Sequence, residues 1–184
     1  MPGWDAYPVR ARLSARYQLP AWIDNDVNVM VLGELRAGIG RNERELIYVK
    51  VGSGIGAGLV SGGRLHRGAQ GAAGDIGHVS VLDDESILCR CGNTGCLEAI
   101  AGGYALARDG LAAARSGRSE PLAAVLETTG GVTARDVTAA AGGGDPVSVA
   151  LLTRSGRLVG RVLATLVNFY NPSLIVMGRP GQLG

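Results

Sequence analysis

Three cysteines fall within one short run, Cys89-Arg90-Cys91-Gly92-Asn93-Thr94-Gly95-Cys96, and the chain has no others. A CxCxxxxC spacing gathers three soft sulfur ligands on one tight turn, and Gly92 and Gly95 allow the backbone reversals that aim them inward. Three thiolates call for a fourth ligand to close a tetrahedral zinc site. The histidines are His66 and His78. His78 follows Gly77 and lies nearer Cys89, so the expected ligand set is His78, Cys89, Cys91 and Cys96. Four protein ligands leave no open position for water, which makes the metal structural. The competing reading is three buried free cysteines, which accounts for neither the spacing nor the glycines. An iron–sulfur cluster would need histidine as an uncommon fourth ligand. The start, MPGWDAYPVR, lacks the basic-then-apolar order of an export signal. A reducing, cytoplasmic setting is therefore expected, where clustered cysteines bind metal rather than form disulfides.

The chain has 184 residues, 46% hydrophobic and 18% charged, a globular composition sized for one domain or one and a part. A net charge of +2, with basic residues such as Arg10, Arg12 and Arg16 scattered, leaves no electrostatic footprint for nucleic acid. No apolar run reaches the roughly 18 residues of a membrane span. Aromatics are only 4%, so Ala, Val and Leu must fill the core.

Periodicity divides the chain into strands, glycine turns and helices, an α/β pattern. Pro8 to Gln18 reads as a short amphipathic helix with Val9, Leu13 and Tyr17 on one side. Pro20 to Ile23 reads as a short strand entering Asp24-Asn25-Asp26. Val27 to Gly38 is expected to be helical, with Val27, Met30, Val31 and Leu35 on one face. Leu46 to Val51 is the clearest strand. Leu59-Val60 through Gly62-Gly63 to Arg64-Leu65 reads as a hairpin. A helix is expected over Leu97 to Leu111, and another over Thr133 to Ala141 with Thr133 as its cap. Asp145-Pro146 starts a long helix to about Tyr170, apolar at Val149, Leu152, Leu158, Val159, Val162, Leu163 and Leu166. Asn171-Pro172 ends it, and Ser173 to Met177 reads as a buried strand closed by Gly178.

Two further motifs carry chemistry, each with an ordinary alternative. Gly52-Ser53-Gly54-Ile55-Gly56 follows a strand and could bring backbone N–H groups close to a phosphate. It lacks the Gly-Lys-Ser/Thr of a P-loop, and strand-like sequence follows it where a dinucleotide fingerprint needs a helix. Taken alone, a plain glycine-rich turn fits better. In Asp24-Asn25-Asp26, one carboxylate could take a proton from a hydroxyl that Asn25 orients. Cap and turn duty explains the same residues equally well. Asp75, His78 and Glu98 flank the cysteine run and could meet a sugar's hydroxyls, or serve as solvated surface and helix-start charge.

In this order, Asn25-Asp26 with Val27-Asn28, then GSGIGAG, then Gly77-His78, then CRCGNTGCLE, the chain resembles the ROK family of bacterial sugar kinases, open reading frames and sugar-responsive repressors. The resemblance runs from about Gly3-Trp4 to Gly178. It implies an actin-like ATPase (ribonuclease H-like) fold of two α/β domains around a cleft, of which this chain holds mostly the second. Residues 1–24 would be the end of the first domain, and residues 25–184 the second, with the zinc knuckle and a truncated C-terminus. By position, Asp26 matches the catalytic base that deprotonates the attacking sugar hydroxyl. Asn25, Asp26, Asp75, His78 and Glu98 match sugar-contacting positions. Gly52, Ser53, Gly54 and Gly56 match a phosphate-binding loop. His78, Cys89, Cys91 and Cys96 match the zinc ligands.

The resemblance leaves two branches. Kinase members carry a DxGxT phosphate hairpin, and Met1 to Ile23 holds nothing like it. Asp75 stands where many kinases have Glu, and its shorter side chain reaches less far. Kinases also place a Gly-Gly turn near the adenine, where this chain has Gly178-Arg179-Pro180. The Trp4-Asp5 entry and the segments Asp24 to Met30 and GSGIGAGLVSGGRLHRGAQGAAGDIGH are closer in style to the repressor branch. The expectation is the sugar-binding effector portion of a ROK-type transcriptional regulator, working as a homo-oligomer such as a dimer. DNA would be met only through a separate N-terminal module. The alternatives are an ATP-dependent hexose kinase, with ATP and Mg²⁺, and an inactive zinc-stabilised remnant.

Overall fold

The computed structural model describes residues 7–82 and 86–178. Gly3-Trp4-Asp5 and Arg179-Pro180, used above, lie outside the described residues. Four strands form one mixed sheet in the order β3-β2-β1-β4: β1 Leu46–Val51, β2 Ile55–Ser61, β3 Arg64–His66 and β4 Leu174–Gly178. β1 and β2 are antiparallel, with Leu46 opposite Val60 and Val51 opposite Ile55, so the glycine loop is the turn between them. β2 and β3 form the expected hairpin through Gly62-Gly63, both at positive φ, while β4 joins β1 in parallel.

β1 is central and buried on both faces, which explains its unbroken apolar run LIYV. On one face Leu46, Tyr48 and Val60 pack on Val31 of helix α2 (Asp26–Ala37). On the other, Ile47, Val49 and Leu59 pack on Leu97 and Ile100 of α3 (Leu97–Ala101) and on Leu158, Val159 and Val162 of the last helix, α7 (Pro146–Tyr170). Ala113 and Ala114 of α4 (Gly103–Arg115), Leu122 of α5 (Glu120–Thr129) and Val137 of α6 (Ala134–Gly142) form a satellite core. The small Ala side chains let these helices approach closely, as the scarcity of aromatics requires.

Caps set the helix boundaries. Thr133 and Asp136 form a capping box on α6. Asp145 accepts from the Ser148 N–H at 2.9 Å and the Ser119 hydroxyl at 3.0 Å, with Pro146 in the first turn of α7. Asn171 closes α7 at φ 47.

Five expectations need correction. Pro20 to Ile23 forms no strand; Trp22 and Ile23 are exposed, and among the described residues no ladder partner meets them. The helix α1 (Val9–Tyr17) does form but buries none of its residues. The helix expected from Leu97 breaks at Gly102, where α3 gives way to α4. There the Gly103 N–H donates to the Gly52 carbonyl at 2.7 Å, and a Cβ on Gly103 would lie 2.6 Å from that oxygen. Val149 is exposed, because the first turn of α7 packs through Val147 and Ser148 and leaves Val149 on its outer side. β4 is an edge strand with one neighbour, so its residues are half-buried rather than buried, and Met177 is exposed.

Candidate functional site

The cysteine run is a short antiparallel ribbon. Leu88 bridges Thr94, and Ser80 bridges Cys96. The Cys89 N–H donates to the Asn93 carbonyl at 2.7 Å, and the Val81 N–H to the Gly95 carbonyl at 2.9 Å. Gly92 at φ 93 and Gly95 at φ 72 turn the corners. A single 3-10 turn, Ile76–His78, brings His78 alongside. Arg90 lies over the Tyr104 ring at 3.9 Å, which ties the ribbon to α4.

The ligand atoms of His78, Cys89, Cys91 and Cys96 all lie within 4.8 Å of one another. The Cys91 and Cys96 sulfurs are 3.7 Å apart, and the Cys89 sulfur is 3.6 Å from His78 Nδ1. A tetrahedral zinc with ordinary bond lengths sets about 3.8 Å between sulfurs and about 3.6 Å between sulfur and nitrogen. Both of these distances fit a tetrahedral zinc ion. Burial, with the neighbouring sulfurs adding, pushes the Cys96 thiol up to about 12. The N–H of Asn93 draws Cys91 the other way. Three thiolates held this close would repel one another, and a cation between them would offset that repulsion. His66, the other histidine, sits on β3 outside this cluster.

The knuckle leads into α3 and so positions Glu98, whose Oε2 accepts the Ile55 N–H at 2.9 Å. A Cβ on Gly54 would fall 2.3 Å from that same oxygen, and one on Gly77 would fall 2.2 Å from the Ile55 carbonyl. These two glycines let the glycine loop, Glu98 and the His78 turn close on one another. In the loop the Gly52 and Ser53 carbonyls face the start of α4. Among the described residues, no acceptor meets the N–H groups of Ser53 and Gly54.

Asp26 begins α2 at the same end of the sheet. Its carboxylate is ion-paired with Lys50, the chain's only lysine, at the end of β1. Asn25 caps α2, its side-chain oxygen accepting from the Val27 N–H at 3.0 Å. Among the described residues, its amide N–H groups meet no acceptor. Asp24 accepts from Asn28 Nδ2 at 2.6 Å and from Arg67 Nη2 at 2.6 Å. The Asn28 hydrogen bond, with Arg67 beside it, holds the Asp24 carboxyl below its usual range. Asn28 is buried, and among the described residues its Oδ1 has no partner. Asp75 is exposed, on the loop before the His78 turn.

The fold thus brings Asn25, Asp26, Gly52 to Gly56, Glu98 and His78 to one end of the sheet, around the β1–β2 turn. Sequence reasoning missed Lys50 and Arg67 as partners of the two aspartates. A lone lysine closing an otherwise apolar strand was the available signal for Lys50; Arg67 gave none.

A family model described as the ROK family matches residues 1–180. The chain belongs to the ROK family. It is 34% identical over 176 residues to a glucokinase of Halalkalibacterium halodurans, which covers 96% of this chain and 53% of that protein. It is 33% identical over 175 residues to the xylose repressor of Caldicellulosiruptor bescii, covering 95% and 43%. In three dimensions it matches the ROK glucokinase of Streptomyces griseus, solved with glucose and AMPPNP, at TM-score 0.81 and 34% identity, over 94% of this chain and 56% of that one. A ROK transcriptional regulator, a homologue of the E. coli MLC protein, matches at TM-score 0.79 and 30% identity, over 92% and 42%. The fold is that of these ROK structures, actin-like ATPase, and this chain spans about half the length of its relatives. Among the described residues, no helix is long and apolar enough to cross a membrane.

Proposed function

We propose that this chain is the sugar-binding effector portion of a ROK-type transcriptional regulator. The observation that carries the reading is the Lys50–Asp26 ion pair. A base for hydroxyl deprotonation must offer its oxygen to the incoming proton. Here the ammonium of Lys50 holds one of the two carboxylate oxygens, Oδ2 of Asp26. A carboxylate so held still accepts a hydrogen bond from a sugar hydroxyl on its other lone pairs, which suits binding without chemistry.

On this reading Asn25 donates its amide to a sugar oxygen while its own oxygen caps α2. Asp26 and Glu98 accept from hydroxyls, and His78 holds zinc through Nδ1 and presents Nε2 to the ligand. Asp75, one residue from the His78 turn, is the outer member. Zinc at His78, Cys89, Cys91 and Cys96 would fix the knuckle and thereby the Glu98 helix. Residues 1–24 close a first domain and residues 25–184 form the second. The facing wall of the cleft comes from the length that relatives have and this chain does not span. The regulator acts as a dimer and reaches DNA through a module outside this chain.

The second reading is a hexose kinase. The glucokinase similarity and the presence of Asp26 favour it. In that case Gly52, Ser53, Gly54 and Gly56 would cradle a phosphate with the open N–H groups of Ser53 and Gly54, ATP would bring Mg²⁺, and Asp26 would have to leave Lys50 to act as base. The test is ADP release with Mg·ATP and glucose, xylose or N-acetylmannosamine. The regulator reading predicts none above background, in wild type and in Lys50→Met. Sugar-dependent ADP release that disappears in Asp26→Asn would make the kinase reading correct.

A further inference from the structure

Beside the C-terminal half of α2, and reaching as far as Arg67, the partner of Asp24, lies a groove of about 700 Å³. Its walls are the C-terminal half of α2, the connection over residues 41–44 and the β2–β3 hairpin with the residues just beyond it. Five arginines line it, Arg36, Arg41, Arg44, Arg64 and Arg67, against a single glutamate, Glu43. The sequence scatters these arginines over more than thirty positions; the fold gathers them. Glu43 is already engaged by the Ser173 hydroxyl, and Arg67 by Asp24. Among the described residues, the guanidinium groups of Arg36, Arg41, Arg44 and Arg64 have no hydrogen-bond or ion-pair partner, and Arg44 feels only the nearby charge of Glu45. Leu32, Leu35 and Leu65 supply apolar wall between them.

Ordinary protein surfaces intersperse charges of both signs. Unpaired guanidinium groups around one concavity repel each other, and an anion relieves that repulsion. The planar guanidinium fork matches phosphate with two parallel hydrogen bonds. The groove volume falls in the range of small-molecule sites. A nucleic-acid backbone would instead need a stripe of cations along an extended surface, whereas these converge on one hollow.

We propose that this groove binds a small molecule carrying two or more phosphate groups, at a site separate from the carboxylate end of α2. The helix is 12 residues long, so its two ends stand about 16 Å apart. Binding is therefore probed at Arg41 and Arg64, and not at Arg67, which also holds Asp24.

The experiment is a calorimetric titration of the full zinc-loaded chain with inorganic tripolyphosphate. The expected result is one site per chain, weakened about tenfold or more in each of Arg41→Gln and Arg64→Gln, since a lost charge-assisted hydrogen bond exceeds the interval of one decade. Arg115→Gln on α4 should leave binding unchanged, with circular dichroism showing all variants folded. The proposal is overturned by absence of binding, or by binding that Arg41→Gln and Arg64→Gln leave intact. It is equally overturned if Arg115→Gln weakens binding as much, or if mixed-sequence duplex DNA binds the groove more tightly than tripolyphosphate.

Discussion

Two glycines of the knuckle share a backbone conformation and differ in their surroundings, which makes them a matched pair. Gly92 has φ 93 and Gly95 has φ 72. Placing alanine in left-handed backbone costs about 1–2 kcal/mol at either position. A Cβ at Gly92 would meet nothing within 4 Å, so Gly92→Ala should cost only that amount. A Cβ at Gly95 would lie 2.1 Å from the Leu82 carbonyl oxygen and 2.9 Å from Ser80 Oγ. The ribbon must open by about 1 Å to reach ordinary contact distance, which breaks the Val81–Gly95 hydrogen bond, worth about 1 kcal/mol net. Gly95→Ala should therefore lose about 2–3 kcal/mol in all. It should also loosen zinc, because Cys96 is the next residue. Urea unfolding of both variants at equal zinc, with zinc content measured on the folded protein, reads both effects. Equal losses for the two, or a larger loss at Gly92, would refute the ribbon geometry.

Three further outcomes follow from the same structure. Chelator-washed and zinc-reconstituted protein should bind about one zinc per chain by elemental analysis, and Cys91→Ser should abolish this and lower the unfolding midpoint, because structural metal binding is folding energy; a chain that stays metal-free with an unchanged midpoint would contradict the knuckle. Asp145→Ala removes the cap of α7 and should destabilise by about 1–2 kcal/mol at neutral pH, measured by urea unfolding. The Ser148 hydrogen bond lowers the native Asp145 pKa from 3.8, so its contribution is full above that value and decays as pH falls through the depressed native value; the gap between wild type and variant should narrow below about pH 4. Arg67→Ala should free Asp24 and shift its native titration, followed by NMR, upward toward its ordinary value, although the Asn28 bond keeps part of the depression.

What was legible in the sequence was what local chemistry determines. Asp145-Pro146 and Thr133 marked their helices because capping is a matter of three or four residues. CxCxxxxC with two glycines marked the knuckle because the spacing itself sets the turn. The helix α5 also carried readable signals, Ser119 as cap, Pro121 in the first turn and Gly130 at the end, yet its weak apolar stripe hid it. The break at Gly102 was not legible, since its cause is the approach of Gly52, fifty residues earlier. The ion pairs of Asp26 and Asp24 were equally hidden, their partners lying 24 and 43 positions away. The order of the sheet decides those meetings, because β1 carries Lys50 to the start of α2. The same holds for the arginine groove, whose members look dispersed until α2 and the β2–β3 hairpin are set side by side.

The most direct test of the account is a calorimetric titration of the zinc-loaded chain with glucose, xylose and N-acetylmannosamine in turn, for wild type and Asp26→Asn. The account predicts that one of these sugars binds at one site per chain without ATP, and that Asp26→Asn weakens it about tenfold or more through loss of a charged hydrogen bond. Binding of none of them to folded, zinc-loaded protein, or equal binding to wild type and Asp26→Asn, would contradict it.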